Sequence, residues 1–484
     1  MGFHRIFLLF TLVGSLFFAC HPERSFEEDP EASLSFNLDT LYFDTVFTTI
    51  GTATEAFRVF NPHKQFLKID EISLAGGASS VFRINVDGSP GLHFTDVEIA
   101  PGDSMYVFVE ATLDPNGSDE ILRIQDSVVF QTNGNLQDID LVAWGQDVHI
   151  IQDSVFDEHT TWIADKPYLI LNYAFVDSMS SLTLDPGVKV HLHRDAVLYV
   201  DGSLHMNGTM EEPVWVGGDR LEKFYEDVPG QWRFIYLSGL SHDNRITYTE
   251  IRNGTMGLLI SAPPESGKMP DLEISNSMIN HMSSNGIYAL NAKITGSNLV
   301  IGNCGGSCTA LNFGGDYQFT HCTFANYWPS GYSNRQLPAL LLTDYFANYD
   351  EEGNLEIFTG GEFERAEILN SIIYGSNRME LIIDSYEDLQ LNYRFDHCLT
   401  KIDESEHDYT SDPLFTHIIN NEDPLFVAVP DTFELDSLSP AIDAGLPAYA
   451  IDFPFDLNGN SRLDDEAPDL GAYEWIPSTS DESR

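Results

Sequence analysis

TEIRNG (249–254), SMINHM (277–282), LVIGNC (299–304), CTFANY (322–327) and SIIYGS (371–376) share one pattern. Each has a small or apolar residue, an apolar residue two later, and often a polar turn residue after that. Aligned on Ile251, Ile279, Ile301, Phe324 and Ile373, they are separated by 28, 22, 23 and 49 residues. Self-similarity at such a period marks a repeat architecture. A step of 22 to 28 residues is one turn of a right-handed parallel β-helix, each turn adding roughly 4.8 Å along the axis. The aligned apolar residues then stack as an interior ladder. The 49-residue step reads as two turns with an insertion around WPSGYSNRQLP (328–338) and NYDEEGN (348–354).

Upstream, short apolar triplets separated by Gly or Asn continue the coil pattern: LTLDPGVKVHLH (182–193), AVLYVDGSLHMNGT (196–209) and PVWVGG (213–218). Before about residue 150 the spacing changes. FRVFN (57–61), FRINV (82–86), MYVFVEATL (105–113) and DSVVFQTNG (126–134) recur at roughly ten residues with Asn-Pro, Asp-Gly and Asn-Gly turns between them. That is the text of an antiparallel sandwich. The fold class expected is therefore all-β, a sandwich over 34–149 and a β-helix over 160–430; the segment 431–478 is expected to be a C-terminal cap, as a family resemblance of its residues implies.

The chain has 484 residues, 43% hydrophobic and 12% aromatic, which excludes global disorder. Its 24 Lys and Arg face 75 Asp and Glu, a formal charge of −51 that repels nucleic-acid phosphate. A nucleic-acid partner is excluded on that ground. At the front, Arg5 precedes an apolar run from Ile6 to Phe18, then Ala19 and Cys20. The run is too short to span a bilayer and has the length of a signal-peptide core. Residues 21–33 read as an acidic tether. Of the remaining cysteines, Cys304 and Cys308 flank Gly-Gly-Ser and either bridge or stay as two buried thiols. Cys322 and Cys398 read as core packing residues.

Several stretches resemble known families. The small residue followed by Cys20 resembles a bacterial lipobox, which implies a diacylated Cys20 holding the chain to a Gram-negative outer membrane. The acidic Glu27-Glu28-Asp29 resembles the signal that sends some lipoproteins to the outer face. LSFNLDTLYFDTVFTTIGT (34–52), with FRVFNP and EIAPGDSMYVFVEATLDP, resembles the immunoglobulin-like domains of the ASH group, implying a spacer. SPAIDAG (439–445), DLNGNSR (456–462) and DLGAYE (469–474) resemble the terminal segment of bacterial right-handed β-helix repeat proteins. That fold hosts binders, adhesins and enzymes alike.

No Asn-Thr-Asp or Gly-His-Gly segment and no repeat-aligned carboxylate pair of the kind inverting hydrolysis needs is present. The reading favoured is a non-catalytic surface module for a glycan or surface protein. The alternative is a carbohydrate-active enzyme, a lyase or epimerase on an acidic polysaccharide. Tyr327, Trp328, Tyr332, Tyr345 and Tyr349 crowd the insertion and form a candidate sugar platform, or else pack on the helix flank. Asn253, His281, Asn303 and Asn326 fall two residues after the aligned apolar positions. They read either as a row of ligands or as a ladder of side chains bonding turn backbone at a coil corner. His191, His193 and Asp195 alternate along a strand and share a face, reading either as a metal site or, in the favoured reading with Lys189 and Arg194 beside them, as an exposed polar face. Asp followed by Ser or Thr and an apolar residue recurs at Thr40, Thr45, Ser104, Ser127, Ser154, Ser178 and Ser437. It resembles a periplasmic O-glycosylation sequon, though Asp-Ser also starts strands after turns. Asp456, Asn458, Asn460 and Asp464 alternate oxygens around a turn, a candidate structural calcium loop that is also ordinary turn chemistry. No cofactor is required by this reading.

Overall fold

The structure, a computed structural model, describes residues 24–48, 51, 54–114, 121–262, 266–349, 354–386, 391–403, 405, 411–429, 432–464 and 466–477. Cys20 and its leader lie outside the described residues. The chain divides into two compact units, Met1–Asp147 and Val148–Arg484.

The first unit is a sandwich of two five-stranded sheets. One sheet orders Ser35–Phe36, Glu55–Phe60, Ser104–Ala111, Phe82–Val86 and Ser89–Gly91; the other orders Thr40–Phe47, Asn135–Gln146, Leu122–Thr132, Leu67–Leu74 and His93–Ile99. Along Ser104–Ala111 burial alternates residue by residue, which puts Met105, Val107 and Val109 inside. They meet Phe57, Phe82, Leu67 and Phe130 in one core. The acidic stretch does not hang free as a tether. Phe66 N–H donates to Ser25 O at 3.0 Å and Glu27 N–H to Phe66 O at 2.8 Å, and Ala32 is buried in the sandwich core. A parallel bridge between Phe26 and Phe66, at the start of the interior strand Leu67–Leu74, takes the segment up.

The second unit is a parallel β-helix with three sheet faces. One coil shows the plan: Phe234–Ser238, Asn244–Thr247 and Thr249–Arg252 form its three sides. The next coil stacks in register, Ile235 on Leu258, Ile246 on Ile274 and Ile251 on Ile279, all of them buried. Burying each such side chain is worth about 1.5–3 kcal/mol. Ile251, Ile279, Ile301, Phe324 and Ile373 are direct neighbours down one face. The 49-residue step is therefore one coil. Its excess length goes into the 327–339 loop, the side strand Leu340–Thr343 and an outlying hairpin, Phe346–Tyr349 with Leu355–Phe358. Residue count alone misreads it, because lengthening a loop costs little. The coils also begin earlier than residue 160, with His149–Phe156 parallel to Tyr168–Val176.

Between two of the faces the chain turns on single residues. Tyr248, Asn276, Asn298, His321, Asn370, His397 and His417 stack at this corner, all at positive φ between 41° and 54°. Each costs roughly 1–2 kcal/mol for a residue with a side chain, least for Asn.

The C-terminal segment is not a cap over an open edge. It lies along this corner as a strap. Arg462 reaches Asn298 Oδ1 at 3.0 Å, Ala472 N–H donates to Thr323 Oγ1 at 3.0 Å, and Asn370 exchanges hydrogen bonds with the backbone of Leu446. Tyr449 reaches Asp396. Gly471 must be glycine, since a Cβ there would sit 2.6 Å from Thr323 Oγ1 and its φ is +91°. The Asp, Arg and Glu residues of the segment wire it to itself. Asp469 accepts from Asp443 N–H (2.8 Å) and Trp475 N–H (2.6 Å), and buried Arg462 pairs with Glu474. Burial pushes the Glu474 carboxyl up to about 8, with Arg462 pulling the other way.

Candidate functional site

The loop after Asn326 leaves the coil with Tyr327, Trp328 and Pro329, turns at Tyr332 and returns through Arg335. Arg335 and Glu380 are both buried and fix that loop to the coil below. Arg335 Nη2 donates to Glu380 Oε1 at 2.5 Å and Nη1 to Oε2 at 2.8 Å. Two backbone N–H groups complete the carboxylate, Asn377 at 2.7 Å and Ala339 at 2.9 Å. A forked guanidinium on a carboxylate is the geometry that holds a loop in one place.

Held this way, Trp328 and Tyr332 sit 5.3 Å apart at 40°. Trp328 is 8% exposed, its Nε1–H donating to Ser333 Oγ at 3.2 Å, whereas Tyr332 is 52% exposed. Trp328 can lie there because residue 305 is glycine; a Cβ would meet its ring at 3.1 Å and the Ser283 carbonyl at 2.3 Å. The two rings and Pro329 form one side of a cleft of about 110 Å³; Asp227, Pro229, His281 and Asn303 form the other. Asn303 Nδ2 donates to His281 Nε2 at 3.3 Å, so the ring proton is on Nδ1, 3.3 Å from Asp227 Oδ1. Arg252 Nη2 binds the same Asp227 oxygen at 2.6 Å and its Nη1 binds Glu250 at 3.1 Å. The cleft thus offers an aromatic floor and wall opposite a set of polar groups whose donor and acceptor directions are fixed.

The aromatic residues of the insertion separate. Trp328 and Tyr332 share the cleft. Tyr327 turns away, stacking on Phe433 at 6.2 Å and 22°, and burial raises its hydroxyl above the ordinary tyrosine range. Tyr345 is 6.0 Å from Tyr386 and donates to Asp384 Oδ2 at 2.6 Å, a bond that pushes it up to about 12. The Tyr349 side chain falls outside the described residues. The 253/281/303/326 row is a corner ladder in part. Asn253 Nδ2 donates to Glu226 O at 2.8 Å, and Asn326 binds Cys304 N–H and Gly306 O, both at 3.0 Å. Its two middle rungs, His281 and Asn303, face the cleft.

Cys304 and Cys308 are buried free thiols, not a bridge; Cys304 Sγ–H donates to Gly302 O at 3.2 Å, and burial holds the Cys308 thiol high. Cys322 and Cys398 are fully buried, both pushed up to about 12 by desolvation. His191 is no exposed group: it is 5% exposed, its Nδ1–H bonds Gly218 O at 2.8 Å, and burial lowers it to about 4. His193 instead pairs with Asp219, and Asp195 turns a corner at φ 65°. The calcium loop is organised by nitrogen. Asp456 Oδ1 accepts from Asn458 N–H at 2.9 Å and Asn460 N–H at 2.7 Å, and Oδ2 accepts from Asn460 Nδ2 at 3.0 Å and Glu474 N–H at 2.8 Å. Asn458 Nδ2 turns to Glu434, and Asp464 points outward, exposed. Those donors occupy the oxygens a hard cation would need. The hydroxyls of Thr40, Thr45, Ser104, Ser127, Ser154 and Ser178 are half-exposed, and Ser437 is exposed. At Ser104 and Ser127 the preceding Asp accepts the serine's own N–H at 2.8 Å, the turn chemistry that starts a strand.

Sequence reasoning passed over two features. Phe175, Tyr199 and Tyr236 stack in register on the outside of one face, at 5.3 and 4.8 Å; the VLYV and FIYL runs put an aromatic at the same outward place. The second is a group of Asp396, His397 and His417, whose donor atoms lie within 4.8 Å of one another.

No family of known proteins matches the chain in sequence, and no curated protein does. Among solved structures, a family 123 glycoside hydrolase from Clostridium perfringens that acts on glycolipid glycans is similar over 24% of this chain, at 6% identity and a TM-score of 0.17. This chain spans 26% of that protein's length. The seventh ASH/PapD-like domain of human CEP192 is similar over 27% of this chain and 94% of its own, at 10% identity and a TM-score of 0.17. The catalytic unit of a thermostable GH87 α-1,3-glucanase from Streptomyces thermodiastaticus covers 76% of this chain and 89% of its own, at 9% identity and a TM-score of 0.17.

Proposed function

We propose that the chain is a glycan-binding protein, lipid-anchored through Cys20 to a Gram-negative outer membrane, in which the sandwich is a spacer and the β-helix carries the binding cleft. The observation that supports binding is the cleft itself, Trp328 and Tyr332 facing Asp227, His281 and Asn303. Sugar rings have one apolar face and a rim of hydroxyls, so an aromatic surface opposite fixed polar groups matches both. At about 110 Å³ the cleft is far smaller than the ~300–1,000 Å³ of an enclosing ligand pocket. It suits one ring of a chain end or of a polymer lying across it. The charge of −51, with Arg252 already held by two carboxylates, disfavours a polyanion. The ligand is a neutral glycan. Among the described residues lining the cleft Asp227 is the one carboxylate, and one carboxylate does not make the paired acid and base of glycoside hydrolysis.

The test is a neutral-oligosaccharide array followed by calorimetry on the best ligand. Truncating a central aromatic contact costs about 2 kcal/mol, so Trp328→Ala and Tyr332→Ala should each weaken binding about thirtyfold. Tyr345→Ala, outside the cleft, should leave binding intact. Silence of the wild-type chain across the array, or a ligand that ignores the first two substitutions, overturns the reading.

A further inference from the structure

The corner ladder changes character at its end. Its inner rungs are committed to the strap or to one another: Asn298 Nδ2 binds Asn276 Oδ1 and Phe455 O, both at 2.9 Å, and Asn370 binds Leu446. His321 Nε2 meets Asn370 Nδ2 at 3.2 Å. Beyond them come two imidazoles on successive coils, His397 and His417, stacked with centroids 4.2 Å apart at 24°. Their Nδ1 atoms converge on a single oxygen, Asp396 Oδ1, at 2.9 and 3.1 Å.

That oxygen is aimed. Asp396 is 4% exposed, and its other oxygen is fixed by Arg394 Nη2 at 2.6 Å and Tyr449 Oη at 2.7 Å. Thr416 Oγ1 donates to Oδ1 at 2.7 Å. A carboxylate oriented from behind by its own hydrogen bonds is how ligands to an ion are held. Bonds of about 2.0–2.1 Å from an ion to nitrogen and oxygen place neighbouring ligands roughly 2.9 Å apart at right angles and 3.3 Å apart in a tetrahedron. The two nitrogen–oxygen distances lie in that interval. Charge also permits a cation, since Asp396 and Glu367 together outnumber the Arg394 that touches both, Glu367 at 3.7 Å. The site opens to solvent on one side, the His417 side chain being 68% exposed.

We propose that Asp396, His397 and His417 bind a divalent first-row transition-metal ion, a site of two imidazoles and one carboxylate with its remaining positions open to water or an incoming ligand. Imidazole with carboxylate selects ions of the zinc, nickel and copper type over calcium or magnesium. Binding requires each ring to carry its proton on Nε2, so that the two Nδ1 atoms facing Asp396 offer their lone pairs to the ion.

Zinc and cobalt are the probes, used on the full chain after chelator treatment and dialysis. Calorimetry should show one equivalent of Zn²⁺ bound, and Co²⁺ should give the visible absorption of an imidazole-ligated ion. His397→Asn and His417→Asn keep a residue that tolerates the left-handed corner and remove the ligand; each should weaken Zn²⁺ at least tenfold, and the double variant should abolish stoichiometric uptake. His193→Asn, in a separate histidine–aspartate pair, should change nothing. Absence of stoichiometric uptake by the wild type, a Co²⁺ spectrum of oxygen ligation only, or unchanged uptake in a double variant that keeps its circular dichroism overturns the proposal.

Discussion

Replacing Arg335 with Met tests whether one buried ion pair holds the cleft together. The pair is 2% and 0% exposed at its two side chains, and Glu380 receives four donors, two from Arg335 and one each from Asn377 and Ala339 N–H. Methionine fills much of the volume but leaves Glu380 charged, buried and short of two donors. Removing one partner of a buried pair costs about 3–5 kcal/mol. The loop from Trp328 to Leu337 has few other anchors, so the loss should be felt there first, as local opening. At 1.4 kcal/mol per tenfold, amide protection across 328–340 should fall by about two to three and a half orders of magnitude. Hydrogen–deuterium exchange with mass spectrometry reads this directly, with the strand Asp271–Asn280 as an internal control that stays protected. Glycan affinity should fall with it, since Trp328 and Tyr332 lose their fixed separation. Adding Glu380→Gln removes the orphaned charge and should restore at least about 1 kcal/mol. Unchanged protection in Arg335→Met, or a double variant no better than the single, refutes the reasoning.

His191 gives a pH dependence. Its folded value of about 4 lies below the ordinary 6.5, so the unfolded chain binds the extra proton between those values. The stability it confers is present above pH 6.5 and is lost as pH falls toward 4, roughly 3 kcal/mol in all. Urea midpoints at pH 7 and pH 4.5 should differ less in His191→Gln than in the wild type; equal differences contradict the assignment. Calcium should not matter to the strap: chelator treatment should leave the melting temperature where it was, whereas Asp456→Ala, which strands the buried Glu474 N–H and three part-buried donors, should cost about 3 kcal/mol, roughly the sum of two unmet donors. A chelator-induced drop of several degrees would restore the calcium loop. Intact mass of the exported protein should show an acyl addition on Cys20, and any added sugar should map to Ser437, the exposed hydroxyl of its set.

The interior of the helix was legible because its period is a packing constraint: Ile251 to Ile373 align in the sequence and touch in the fold. Lengths between them were not, since a coil can absorb an excursion such as 346–358 without shifting the ladder. Trp328 and Tyr332 could be picked out from the clustering of aromatics, but Tyr327 beside them could not be told apart, because a neighbour 106 residues later in the chain, Phe433, decides which way it turns. His191 looked exposed because outward and inward alternate along a strand, yet Val190, His191 and Leu192 are all buried. The Asp396 group was hidden because the alignment stopped at Ile373. Carried on by 27 and 20 residues from Asn370, the corner row reaches His397 and His417, each preceded by an oxygen-bearing residue, Asp396 and Thr416. Arg335 gave no signal at all; its partner lies 45 residues away.

Solenoids grow one unit at a time, each new layer needing only its predecessor. The strap breaks that rule. Residues 446 to 472 are synthesised after every coil they clasp, yet Asn298, Thr323 and Asn370 get their partners from them. Layers built early therefore wait, with buried-to-be polar groups still wet, until residues 446 to 472 have followed them. A molecule interrupted before that point keeps its shape poorly and opens readily to proteases, which act on whatever fraction is open. The strap thereby ties the durability of the early coils to a segment made after them.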